Sequence, residues 1–138
     1  MSRVFFYGLF MDTAFLSEMG LTPVVLGQAM LREYQLSIGD RATLTPKLGA
    51  TSYGMLIELS DDDLSALYSA PSVSDYQPQT VDTTRLDDGT TQTALCYNLP
   101  ADKLGAEFNS EYAKNLSSLL LRLGFPPSYA SKIIQPDL

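Results

Sequence analysis

The apolar residues of this chain fall mostly into short runs, the first of them closed by glycine, and only its C-terminal end carries a sustained helical period. Val4-Phe5-Phe6-Tyr7 stops at Gly8, which predicts a buried strand entering a tight loop. A turn or two of helix is expected from Thr13 to Met19, stopped by Gly20. Pro23 to Met30 reads as a strand interrupted by Gly27. In Glu33 to Ile38, Tyr34, Leu36 and Ile38 share one face and Gln35 and Ser37 the other, the period of a half-buried strand. Residues 39–52 are rich in Gly, Thr and Pro, show no period, and predict a loop.

Tyr53 to Leu59 is again strand-like, and Ser60-Asp61-Asp62-Asp63 opens a helix. Ser60 is its expected N-cap, and the aspartates suit the positive end of the helix dipole. Neighbouring positions on a helix diverge, so the acidic run predicts capping rather than a metal site. Leu64, Leu67 and Tyr68 form its buried stripe, and Pro71 ends it. Gln79 to Thr84 and Thr91 to Leu99 predict two strands joined through Asp87-Asp88-Gly89. Ser110 is expected to cap a helix that buries Ala113, Leu116, Leu119, Leu120 and Leu123 and stops at Gly124. Pro126-Pro127 opens a last short helix. Strands, a helix, more strands, then helices define an α+β fold with a mainly antiparallel or mixed sheet.

At 138 residues, 45% of them hydrophobic, one domain spanning 1–138 around one core is expected. No apolar run approaches the ~20 residues that span a bilayer. The N-terminal apolar run is too short for a signal-peptide core, so a cytoplasmic protein is expected. The net charge is −7 and the nine basic residues are scattered, which argues against a nucleic-acid surface. Cys96 is the single cysteine and lies in the apolar run Ala94 to Tyr97, the setting of a buried core thiol. The chain contains no histidine. Ser-His-Asp and Cys-His catalysis are thereby excluded, and proton transfer is left to carboxylates, lysine, tyrosine or water. Nothing in the sequence asks for a metal or another cofactor.

A strand that ends in Gly and turns sharply aims backbone N–H groups into one concavity, which suits a carboxylate. Phe6-Tyr7-Gly8-Leu9-Phe10-Met11 has that form, and it resembles the Tyr-Gly-x-x opening of the γ-glutamylcyclotransferase-like family. Tyr53-Gly54-Met55-Leu56-Ile57-Glu58-Leu59-Ser60, with Asp63-Leu64 and Leu67, is similar to that family's Gly-bearing strand and short helix. Tyr76 and Val81 match its later tyrosine and valine, and Ala94 to Tyr97 its last core strand. Ser110-Glu111-Tyr112 and Leu123-Gly124-Phe125-Pro126 to Tyr129 resemble its C-terminal helices. The likeness runs from about Val4 to Ile134.

The resemblance implies a small mixed barrel with flanking helices and a pocket beside the Tyr-Gly loop. It also implies release of 5-oxoproline, as the α-amine of a γ-glutamyl group attacks its own γ-carbonyl. Orientation supplies much of that rate. A pocket glutamate then moves the protons. Here the glutamate falls at Ala70 or Pro71, and neither side chain can move a proton. Asp75 and Glu58 are the candidate substitute acids. Tyr7, Gly8, Leu9, Phe10, Met11, Tyr76 and Tyr97 are the implied substrate-binding residues, for a γ-glutamyl or similar carboxylate-bearing small molecule. Three functions stay open: a cyclotransferase with a displaced acid, a non-catalytic small-ligand-binding protein, and a regulatory subunit that keeps the fold for its surface.

Overall fold

The computed structural model describes residues 1–105 and 107–134. Five strands close into a barrel in the order β1-β3-β2-β4-β5. These are β1 (Ser2–Phe6), β2 (Val24–Ile38), β3 (Ala42–Leu59), β4 (Gln77–Arg85) and β5 (Thr91–Asn98). The helices are α1 (Thr13–Glu18), α2 (Asp61–Leu67), α3 (Ser110–Arg122) and α4 (Pro127–Lys132). All strand neighbours are antiparallel except β1 and β5, which run parallel and close the barrel where Val4 meets Leu95. The sheet is therefore mixed and mainly antiparallel, as the α+β reading expects.

From Val4 to Phe6 β1 is apolar because it is buried on both faces. Successive side chains point to opposite sides of a strand. Phe5 and Tyr7 turn into the barrel with Ala29, Leu31, Leu44, Leu56, Val81 and Cys96. Val4 and Phe6 turn outward, into a second layer with Ile57, Leu59, Leu64, Leu67, Leu116 and Leu120. These two layers meet at the C-terminal end of β1, and the candidate site lies at that junction.

The loop expected over residues 39–52 is instead mostly strand. β2 and β3 form one long hairpin, with Ser37 opposite Thr43 and Arg32 opposite Thr51. The ladder shifts register between Arg32 and Tyr34, so residues 47–50 bulge opposite Glu33. Glu33 has φ 69°, a left-handed conformation, and its carboxylate accepts a hydrogen bond from the Gly49 N–H at 2.8 Å. The bulge breaks the alternation that marks a strand, while the threonines fit the pleated surface. The two expected strands before it are likewise one, β2, with a further irregularity inside the first, between Val25 and Gly27.

The caps follow side-chain chemistry. The Ser60 hydroxyl accepts from the Asp63 N–H at 3.1 Å, as expected. The expected cap at Ser110 moves back one residue, because the Asn109 carboxamide oxygen accepts from the Tyr112 N–H at 3.0 Å. Gly124, at φ 86°, stops α3.

Candidate functional site

After Phe6 the chain leaves the barrel through Tyr7 and Gly8 and makes a single tight turn at Leu9–Met11. The Met11 and Asp12 N–H groups bond back to Gly8 and Leu9. Among the described residues, no protein acceptor takes a full hydrogen bond from the N–H of Gly8, Leu9 or Phe10. These three residues border a cavity of about 270 Å³, with Tyr7 beneath them. Its walls are largely aromatic: Phe6, Phe10 and Phe15 come from the first segment, Tyr68 and Tyr76, with the aliphatic Val73, from the end of α2 and the turn beyond, Tyr97 from β5 and Tyr112 from α3.

Ring contacts fix these walls. Tyr68 stacks on Tyr97, with centroids 3.9 Å apart and planes 10° from parallel. Phe10 meets Tyr68 edge-on at 6.1 Å and Phe6 edge-on at 6.0 Å. Such pairs add about 0.5–1.5 kcal/mol each beyond the area they bury. Two hydroxyls are committed to the barrel: Tyr7 donates to the Tyr97 carbonyl at 2.7 Å and Tyr76 to the Ala42 carbonyl at 2.6 Å.

Arg41, between β2 and β3, is the one charged residue lining the cavity among those described. Its Nη1 donates to the Ser72 carbonyl at 3.0 Å, its Nη2 to Asp75 at 3.1 Å and to the Lys103 carbonyl at 3.2 Å. The guanidinium also lies 5.8 Å from the Tyr76 ring centre.

Tyr7, Gly8, Leu9, Phe10, Tyr76 and Tyr97 all border the cavity. Met11 does not; it is buried in the layer beneath the helices, because the tight turn points it away. Asp75 is exposed and meets the site only through Arg41. Glu58 lies opposite Arg3, at the other end of β1. That is roughly 13 Å from Tyr7 at the rise of a strand. Ala70 and Pro71 are absent from the described lining, whereas Tyr68, the first residue after α2, faces inward.

Several lining residues escaped the sequence reading, among them Tyr68, Arg41 and Tyr112. Tyr68 fits the helical stripe and so reads as core. Arg41 lies in the segment taken for a loop. Tyr112 sits in the first turn of α3, where nothing local distinguishes it.

Burial raises the pKa of Tyr7, Tyr68, Tyr76, Tyr97 and Tyr112; at Tyr76 the Arg41 charge opposes the rise. The phenols are thus neutral at physiological pH and donate hydrogen bonds without acting as bases. Burial also pushes the Cys96 thiol from an ordinary 9.0 up to about 12. Below pH 9 the folded and unfolded thiols are both neutral, and the stability tied to this group is fully present. Between 9 and 12 only the unfolded thiol ionises, so that stability drains away as pH rises. The tyrosines add the same sign above their ordinary 10.0. Urea unfolding should therefore show stability falling above pH 9, by up to about 1.4 kcal/mol per pH unit for each group ionised only when unfolded. A profile flat to about pH 11 would contradict these burials.

Among the described residues, no three His, Cys, Asp or Glu side chains converge to hold a metal ion. No helix is long and apolar enough to cross a membrane.

A strand-borne Tyr-Gly turn over a cavity at the mouth of a closed five-stranded barrel defines a fold class shared with known proteins. The sequence model of the "gamma-glutamyl cyclotransferase, AIG2-like" family matches residues 4–114, and the chain belongs to that family. A solved structure described as a gamma-glutamyl cyclotransferase superposes with a TM-score of 0.77 at 18% identity, over 99% of this chain and 89% of that one. YkqA from Bacillus subtilis superposes with a TM-score of 0.77 at 23% identity, over 96% of this chain and 52% of that one. The protein At5g39720.1 from Arabidopsis thaliana gives 0.62 at 22% identity, over 99% and 95%. At these identities the likeness establishes the fold. No similar protein was found among curated proteins.

Proposed function

We propose that this chain binds a small carboxylate-bearing molecule of γ-glutamyl type in the aromatic cavity and does not turn it over. The observation that carries this reading is the lining, which among the described residues holds no carboxylate, thiol or amine. Cyclisation needs a group that takes a proton from an α-ammonium and returns one to the departing amine. Protonated phenols with raised pKa values and a guanidinium cannot take the ammonium proton at neutral pH.

The features that suit a ligand are intact. The Gly8 and Phe10 N–H groups, which have no protein acceptor among the described residues, and the nearby Arg41 charge favour an anionic end. The rings favour an apolar body. A volume of about 270 Å³ falls just below the usual range of ligand cavities, about 300 to 1,000 Å³. That is room for an amino-acid conjugate.

The test uses γ-glutamyl anilide, with calorimetry for binding and chromatography for 5-oxoproline. Binding without 5-oxoproline above the uncatalysed rate is expected. Turnover that vanishes in Asp75→Asn or Glu58→Gln would replace this reading with a cyclotransferase using a displaced acid. An absence of binding would leave the fold's surface as its function.

A further inference from the structure

The Tyr112 hydroxyl rests directly on the Tyr-Gly turn. A β-carbon built on Gly8 would lie 2.6 Å from that oxygen, so the glycine is what lets the phenol reach the backbone. Gly8 has φ −112°, an ordinary extended value, and the need is therefore for space rather than conformation. The ring is held by both apolar layers, and the start of α3 is pinned by the Asn109 cap. The Leu9 N–H faces the phenol oxygen without forming a full hydrogen bond, and its approach offsets part of the rise in the phenol's pKa that burial causes.

Among the described residues, no protein acceptor takes the Tyr112 hydroxyl proton, although Tyr7 and Tyr76 in the same cavity have both committed theirs. A hydroxyl has one donor, and that of Tyr112, on the cavity wall, is free for a ligand. We propose that Tyr112 is the residue that recognises the ligand's carboxylate: its O–H donates to a carboxylate oxygen, while Leu9 N–H supports the phenol from behind. The inference rests on the reading of this cavity as a carboxylate site and names the side chain responsible. It also explains how an acid-free cavity selects an anion. The donor is neutral and arrives from α3, so no buried cation is required.

Tyr112→Phe keeps the ring and removes only the hydroxyl. Two probes separate the possibilities: γ-glutamyl anilide, and the same compound with its α-carboxylate converted to a carboxamide. The variant should bind the carboxylate probe about tenfold or more weakly, the worth of a hydrogen bond to a charged group. Its affinity for the carboxamide should be unchanged. In the free protein the Leu9 amide resonance should also move in the variant. Equal losses for both probes would make Tyr112 a packing residue and overturn the assignment. So would unchanged or tighter carboxylate binding, which would make the hydroxyl a plug. Wild-type protein that binds neither probe overturns the ligand-binding reading and this assignment with it.

Discussion

Gly54→Ala should cost about 3 kcal/mol of stability, the upper range for forcing atoms into a packed core. Gly54 lies on β3 beside Met55, which pairs with Phe6 of β1. A β-carbon there would sit 2.3 Å from the Phe6 carbonyl oxygen and 2.9 Å from the Phe5 ring. The oxygen is backbone, held by the β1–β3 ladder, so relief requires the strands to part where the chain enters the Tyr-Gly turn. Gly8 makes a useful contrast, since its close neighbour is the far end of a tyrosine that can swing away. Gly8→Ala should therefore cost much less stability while disturbing the cavity. Urea unfolding of both variants checks the pair. A loss below about 1 kcal/mol for Gly54→Ala would mean that β1 and β3 separate there with little resistance.

The sequence revealed what depends on near neighbours. The apolar run of β1, the Ser60 cap, the Asp87-Asp88-Gly89 turn and the Gly124 stop are all local signals, and each sits where expected. What it hid depends on distant partners. Residues 42–52 look like a loop until residues 31–38 of β2 are seen opposite them, because the bulge facing Glu33 breaks their period. Arg41 joins Asp75, Ser72 and Lys103 across separations that no window along the chain covers. The resemblance located the Tyr-Gly turn and the tyrosines around it. Ala70 and Pro71, where the resemblance sets the missing acid, are outside the described lining. The cavity is met by Tyr68, two residues before Ala70, whose ring already lies against Tyr97.

The cavity lining therefore offers Tyr68 as the place to introduce an acid. Tyr68→Glu is expected to give 5-oxoproline release from γ-glutamyl anilide about 10²–10⁴-fold above the parent, the usual yield of a positioned acid–base. The new carboxyl would follow α2 directly and enter the space vacated by the ring. Desolvation, the largest cause of the raised Tyr68 pKa, would raise a carboxyl in the same place. A pKa moved toward neutrality is what a group needs if it is to take a proton in one step and give it back in the next. The variant should lose about 2–4 kcal/mol of stability, because the stacked pair with Tyr97 and the edge contact with Phe10 both disappear. Tyr68→Gln should share that loss and stay inactive, which separates the acid from the space it opens. Ala70→Glu, outside the described lining, should stay near the parent rate. Activity in Ala70→Glu but not in Tyr68→Glu would show that the turn after α2 presents its residues differently. A folded Tyr68→Glu that binds the anilide but releases nothing would mean that the ligand's γ-carbonyl lies beyond reach of this wall.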